Sequence, residues 1–213
     1  MVMTCALAGL GMTSIGVTDP AASNFGPARL AARPVAASRS AAALSFTADG
    51  RAIAPPGYRD WPFLTAGIDM NYDATVGQPG AHVFDNVFVD PAALRAFRRT
   101  GRWPEGAVLV KESRDGLTKG SINKSGQFQG EAVTDLELHV KDTRRFGGWA
   151  FFSVSPGQPA RARPPSDDCY ACHGAHGAVD STFVQFYPTL IGVARAKHTL
   201  APEYRQSAAG TGG

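Results

Sequence analysis

Residues 131–141, EAVTDLELHVK, decide the fold. Leu136, Leu138 and Val140 fall on one side of a period of two, with Glu137 and His139 on the other. This is the pattern of a strand that turns one face to a core. Outward from it, HVFDNVFV (82–89), GAVLVK (106–111) and WAFFSV (149–154) read as further strands rich in β-branched and aromatic residues. Within 106–111, Leu109 and Lys111 share one face while Val108 and Val110 share the other. One helix stands among them: Asp90 is placed to cap it, Pro91 to take its first turn, residues 92–99 to propagate it and Gly101 to stop it. Residues 180–187, DSTFVQFY, read as a second short helix ended by Pro188. Sustained 3.6-residue periodicity is missing, which argues against a helical bundle. The fold class is mainly β (α+β): an antiparallel sheet with a few short helices, one of them C-terminal and carrying the motif below.

The composition limits what surrounds that sheet. A chain of 213 residues, 44% hydrophobic, suffices for one domain with a real core rather than two. Of the formal net charge of +3, residues 1–44 carry +2 (Arg29, Arg33 and Arg39 against Asp19), which leaves about +1 for the rest. A basic footprint for nucleic acid is therefore absent. Residues 1–18 are small and apolar like the hydrophobic part of a secretory signal, but no Lys or Arg precedes them, so the leader is atypical. Residues 20–44 are Ala-rich and dotted with Pro, a linker or disordered tail. The organisation expected is leader and linker over 1–43, a folded domain over 44–200 and a flexible tail over 201–213.

Three cysteines are present, and Cys5 lies in the leader. The other two belong to Cys169-Tyr170-Ala171-Cys172-His173, the spacing of c-type haem attachment. Positions i, i+3 and i+4 share a helix face, so Cys169 and Cys172 can add across two porphyrin vinyl groups while His173 ligates the iron. Ser166, Asp167 and Asp168 are the candidate caps of that turn. A zinc site would need a second ligand pair, which is not there. A thioredoxin-like pair would follow an early strand, whereas this one follows a Pro-rich loop. A structural disulfide would not require His173. Only about 40 residues follow the motif and none is Met, so a six-coordinate His/Met electron carrier would have to use Met70. An open sixth position, suited to small-molecule binding or chemistry, is the expectation.

The blocks YRDWPF (58–63), FDNVFVDPAALRAFRRTGRWPEGAVLVKE (84–112), LELHVKDTRRFGGWAFFSV (136–154), CYACH (169–173) and FVQFYPTL (183–190) together resemble the cytochrome P460 family. They span nearly the whole expected domain, in the family's order. The resemblance implies a periplasmic, mainly antiparallel-β protein with covalent haem c and iron, usually a homodimer. Such proteins either oxidise hydroxylamine, passing electrons to a periplasmic acceptor, or, in the cytochrome c′-β branch, bind gases such as nitric oxide. It further implies that Lys111 is the lysine bonded to a porphyrin meso carbon, and that Glu137 is the distal acid that relays protons from substrate nitrogen. Taken by themselves, Lys111 reads as a solvated strand-end residue and Glu137 as an exposed strand glutamate. Asp85 departs from the family, standing where a well-studied type of member has a basic residue, and it alters the charge of the distal pocket. His82 and His139 are within reach of that pocket but read as structural histidines, and His176 as a haem-edge or surface residue. Phe84, Phe88, Phe151 and Phe152 read as core or haem-wall packing.

Overall fold

The computed structural model describes residues 44–70, 81–122, 124–155 and 158–210; the leader and linker expected over 1–43 lie outside them. The elements in chain order are β1 (Ser45–Phe46), β2 (Ala52–Ile53), β3 (Phe63–Ile68), β4 (His82–Val89), α1 (Pro91–Thr100), β5 (Val108–Leu117), β6 (Phe128–Gln129), β7 (Asp135–Asp142), α2 (Thr143–Phe146), β8 (Gly148–Ser153), α3 (Asp168–His176), α4 (Ile191–Ala196) and α5 (Pro202–Gly210). β1 and β2 form a small hairpin. The main sheet runs β3-β4-β5-β7-β8, with β6 paired to the far end of β5, and each pairing is antiparallel. The mainly β fold expected from the alternating segments is the fold observed.

The alternation also sorts the two faces as read. Val108, Val110, Leu136, Leu138, Val140, Ala150 and Phe152 pack into one core, covered by Tyr58 and the hairpin residue Ala52. The opposite face contributes Val89 and Leu109 to a second core, shared with Leu94 and Phe97 of α1, Trp103, and Val184, Leu190 and Ala194 of the C-terminal segment. α1 starts and stops where expected. Asp90 accepts from the Ala92 and Ala93 amides, Pro91 occupies the first turn, and Gly101 closes the helix in the left-handed region at φ +74°.

Two expectations fail, each for a local reason. Residues 180–187 are not a helix. Val179 and Thr182 pair across a tight turn with Asp180 and Ser181 at positive φ, and only Val184–Phe186 makes a single 3-10 turn. The Asp180 carboxylate that could have capped a helix is engaged by Arg102 and the Trp103 amide instead, and β-branched Thr182 and Val184 propagate a helix poorly. The tail expected from 201 is helical over Pro202–Gly210. Proline suits a first helical turn, and Tyr204 packs on the second core.

Candidate haem site

α3 carries the CYACH motif, and Asp167, one of the three candidate caps, is its N-cap, accepting from the Cys169 amide at 3.0 Å. Arg163 reaches the same carboxylate at 3.0 Å, and the Tyr170 hydroxyl donates to the Arg163 carbonyl at 3.0 Å. The Asp167 carboxyl is held down to about 2, first by its contacts with Cys169 and then by Arg163. Its contribution to the helix is therefore complete above the ordinary aspartate range and is lost as pH falls from about 4 toward about 2. Acid titration of the apoprotein followed by circular dichroism is expected to show a helical loss in that window, and D167N, which keeps a capping oxygen but no titrating group, is expected to abolish it.

His173 is 9% exposed. Its ring lies 4.2 Å from that of Phe183, 4.4 Å from His139 and 4.7 Å from Phe151, centroid to centroid. Nδ1 donates to the Ser181 carbonyl at 2.9 Å, which leaves Nε2 for a metal. Burial lowers the imidazole below its ordinary value, favouring the neutral form that ligates. Cys169 and Cys172 are both half-buried thiols without a disulfide. Burial first, and the Asp167 carboxylate second, push Cys169 up to about 11, and burial raises Cys172 too. A redox-active Cys-x-x-Cys pair works by the opposite shift.

α3 faces a cavity of about 450 Å3, within the ~300–1,000 Å3 common for cofactor sites. Cys172, His173, Phe183, Phe186 and Tyr187 line one side of it. The sheet supplies the other: Thr65 and Gly67 from β3, Asp85 and Val87 from β4, Leu109 and Lys111 from β5, Glu137 and His139 from β7. The register explains the grouping, since Lys111 stands opposite Val87 on one side and Glu137 on the other. Lys111 Nζ lies 3.0 Å from Glu137 Oε2 and 3.8 Å from Asp85 Oδ1, and the Ser113 hydroxyl donates to Asp85 at 2.5 Å. Burial alone would lower the Lys111 ammonium, but Glu137 and Asp85 outweigh it and the net shift is upward. Burial, then His173 and Lys111, hold His139 well below its ordinary value, so that wall presents a neutral imidazole beside one ammonium and two carboxyl groups. An apolar cavity with a few convergent polar groups, the Cys172 thiol and an imidazole on its wall, and the Cys169 thiol one turn earlier on the same helix, fits a covalently tethered haem.

The residues singled out in the sequence distribute unevenly around this cavity. Lys111, Glu137, Asp85, Cys172 and His173 all line it, and Cys169 sits one turn before Cys172 on the same helix. His139, read as structural, also lines it and meets His173 edge-on. His82 does not line it, though its Nδ1 lies 2.5 Å from Asp69, which does. Met70 stands at the mouth, 46% exposed. Phe151 reaches His173, whereas Phe152 and Phe88 belong to the core on the far side of the sheet. His176 is exposed. Sequence reasoning missed Phe183 and Tyr187 as cavity walls and the Ser181 carbonyl as the partner of His173; a backbone acceptor leaves no signature in residue types.

Fold and site together define an antiparallel-sheet protein in which a helix carrying the CYACH motif closes a cofactor-sized cavity with a polar far wall. The model of the cytochrome P460 family matches residues 55–184, and the chain belongs to that family, of c-type haem proteins of the P460/c′-β type. No curated protein matches the chain.

Proposed function

We propose that this protein oxidises hydroxylamine or a similar small reduced nitrogen compound at an open haem-iron site. Cys169 and Cys172 hold the haem covalently as thioethers, each S–H adding across one vinyl group. His173 Nε2 would ligate the iron, and Lys111 Nζ would be the third covalent tether, its N–H and a porphyrin meso C–H giving way to the N–C bond as two protons leave and two electrons pass to the periplasmic acceptor. When bound, haem would supply an electron-accepting iron, with a periplasmic acceptor as the electrons' destination. Glu137 takes the proton that substrate nitrogen must shed. The protein works in the periplasm as a homodimer.

The observation that carries this reading is the Lys111–Glu137 pair, 3.0 Å apart on the cavity wall across from the motif helix. A site that only bound a gas would gain nothing from a proton acceptor there. Leu109 and Val87 of that wall and Phe183 and Phe186 beside His173 support the second reading, a c′-β-like nitric oxide binder without turnover. Mass analysis of the digested holoprotein separates the two. A haem fragment joined to both the CYACH peptide and a Lys111 peptide, with a red-shifted ferrous Soret band, is the expected result. A haem held only through Cys169 and Cys172 would overturn the Lys111 tether and favour the gas binder.

A further inference from the structure

The turn between Val179 and Thr182 is strained, and it touches the proximal histidine. Thr182 N donates to Val179 O at 2.9 Å and Val179 N to Thr182 O at 3.3 Å, so two residues close the turn. Asp180 at φ +47° and Ser181 at φ +54° are both left-handed, the signature of a type I′ turn. Aspartate is tolerated at the first central position, but glycine is usual at the second, and serine there pays a steric penalty. Strain of this kind persists only where the surroundings over-determine it.

The surroundings do so from two sides. Gly177 lets the turn press against the end of α3. A Cβ at that position would lie 2.6 Å from the His173 carbonyl oxygen and 2.7 Å from Ser181 C. On the other side, one Asp180 oxygen takes Arg102 Nη1 at 2.9 Å. Its second oxygen takes the Trp103 amide at 3.3 Å and Lys141 Nζ at 3.4 Å. Lys141 also donates to the Trp103 carbonyl at 2.9 Å, and Trp103 Nε1 donates to Thr182 Oγ1 at 2.8 Å. Lys141 is on β7, the strand that carries Glu137 and His139. The turn is thus tied to the strand that forms the far wall of the cavity, and its one outward product is the Ser181 carbonyl on His173 Nδ1, at 2.9 Å.

We propose that Asp180 is a positioning residue for the iron: by clamping this turn it holds the Ser181 carbonyl on His173 and so sets the plane and basicity of the proximal imidazole. The proposal rests on His173 ligating haem iron. A hydrogen bond to the remote ring nitrogen fixes the tautomer and makes the ligand a stronger donor. A stronger donor favours ferric iron and stiffens the iron–histidine bond.

The test uses the purified holoprotein, with the ferrous iron–histidine stretch by resonance Raman and the midpoint potential as readouts. D180G keeps the left-handed backbone at no steric cost and removes only the clamp. It is expected to lower the stretch and raise the potential, with haem attachment by mass unchanged. D180N, which keeps a single acceptor oxygen and so can hold Arg102 or the Trp103 amide but not both, is expected to fall between D180G and the parent. S181G is expected to leave both readouts at the parent value and to raise the melting temperature. Removal of the Asp180 charge by itself would move the potential but not the stretch, so an unmoved stretch in D180G overturns the proposal. Should D180G fail to fold, D180N and R102Q carry the same test, and parental stretches in both overturn it. A parent protein without histidine-bound iron would instead sink the haem reading on which this stands.

Discussion

In the Glu137→Gln variant, hydroxylamine turnover is expected to fall about 10²–10⁴-fold, the usual worth of a positioned proton acceptor, while haem content stays at the parent level. The substitution is nearly isosteric. Glutamine can still accept from Lys111 Nζ, now 3.0 Å from the carboxylate, so the wall keeps its shape, but its amide cannot take a proton at neutral pH. Two other groups on the same wall could stand in. Asp85 reaches Lys111 at 3.8 Å but has one oxygen engaged by Ser113. His139 lies edge-on to His173, where burial keeps it neutral. Steady-state kcat of E137Q beside D85N and H139Q distinguishes them. A parental kcat in E137Q with loss in one of the others would move the proton acceptor to that residue, and parental values in all three would remove the case for an oxidising site.

The parts of this fold that were legible in the sequence are those in which neighbouring residues carry the information. Leu136, Leu138 and Val140 against Glu137 and His139 differ enough in hydropathy for a period of two to show both the strand and which face holds chemistry. Cys169, Cys172 and His173 are legible for a similar reason, because one helical turn brings them together whatever the rest of the chain does. Lys111 was legible as a strand residue sharing a face with Leu109, but its cavity is built by register with β4 and β7, which is long-range. The Asp180–Ser181 turn reads as a helix start in sequence because aspartate followed by serine and threonine suits a cap as well as a turn. What decided it was Arg102, Trp103 and Lys141, about 40 to 80 positions earlier in the chain.

Glu112 is the sharpest case of that kind, and its removal carries the largest stability effect expected here. Alternation puts it on the face of Val108 and Val110, the apolar core, at 2% exposure, where a lone carboxylate would be intolerable. The chain supplies partners from three places: the Tyr58 hydroxyl, Arg59 Nε at 2.7 Å and Arg114 Nε. Burial alone would raise the Glu112 carboxyl, but the hydrogen bonds from Arg114, Tyr58 and Arg59 outweigh it and the net shift is downward. The stabilisation it gives is therefore present above the ordinary glutamate range, and is lost as pH falls below about 4 through the native value. Glu112→Ala is expected to cost about 3–5 kcal/mol, as breaking one side of a buried ion pair does. For a domain of this size that is a drop of about 6–20 °C in melting temperature, with a flattened acid limb in a pH series of melts. Arg59 is half exposed and can return to water, and Arg114 keeps the Gly130 and Glu131 carbonyls, so the lower half of that range is the sharper expectation. Lys111 is the next residue on the same strand, facing the other way. Lys111→Met is expected to leave the melting temperature of the apoprotein within about 2 °C of the parent, because its partners Glu137 and Asp85 border an open cavity and can be solvated. A large drop in both variants would mean that the two faces of β5 are not separable, and that the cavity wall is itself part of what holds the sheet together.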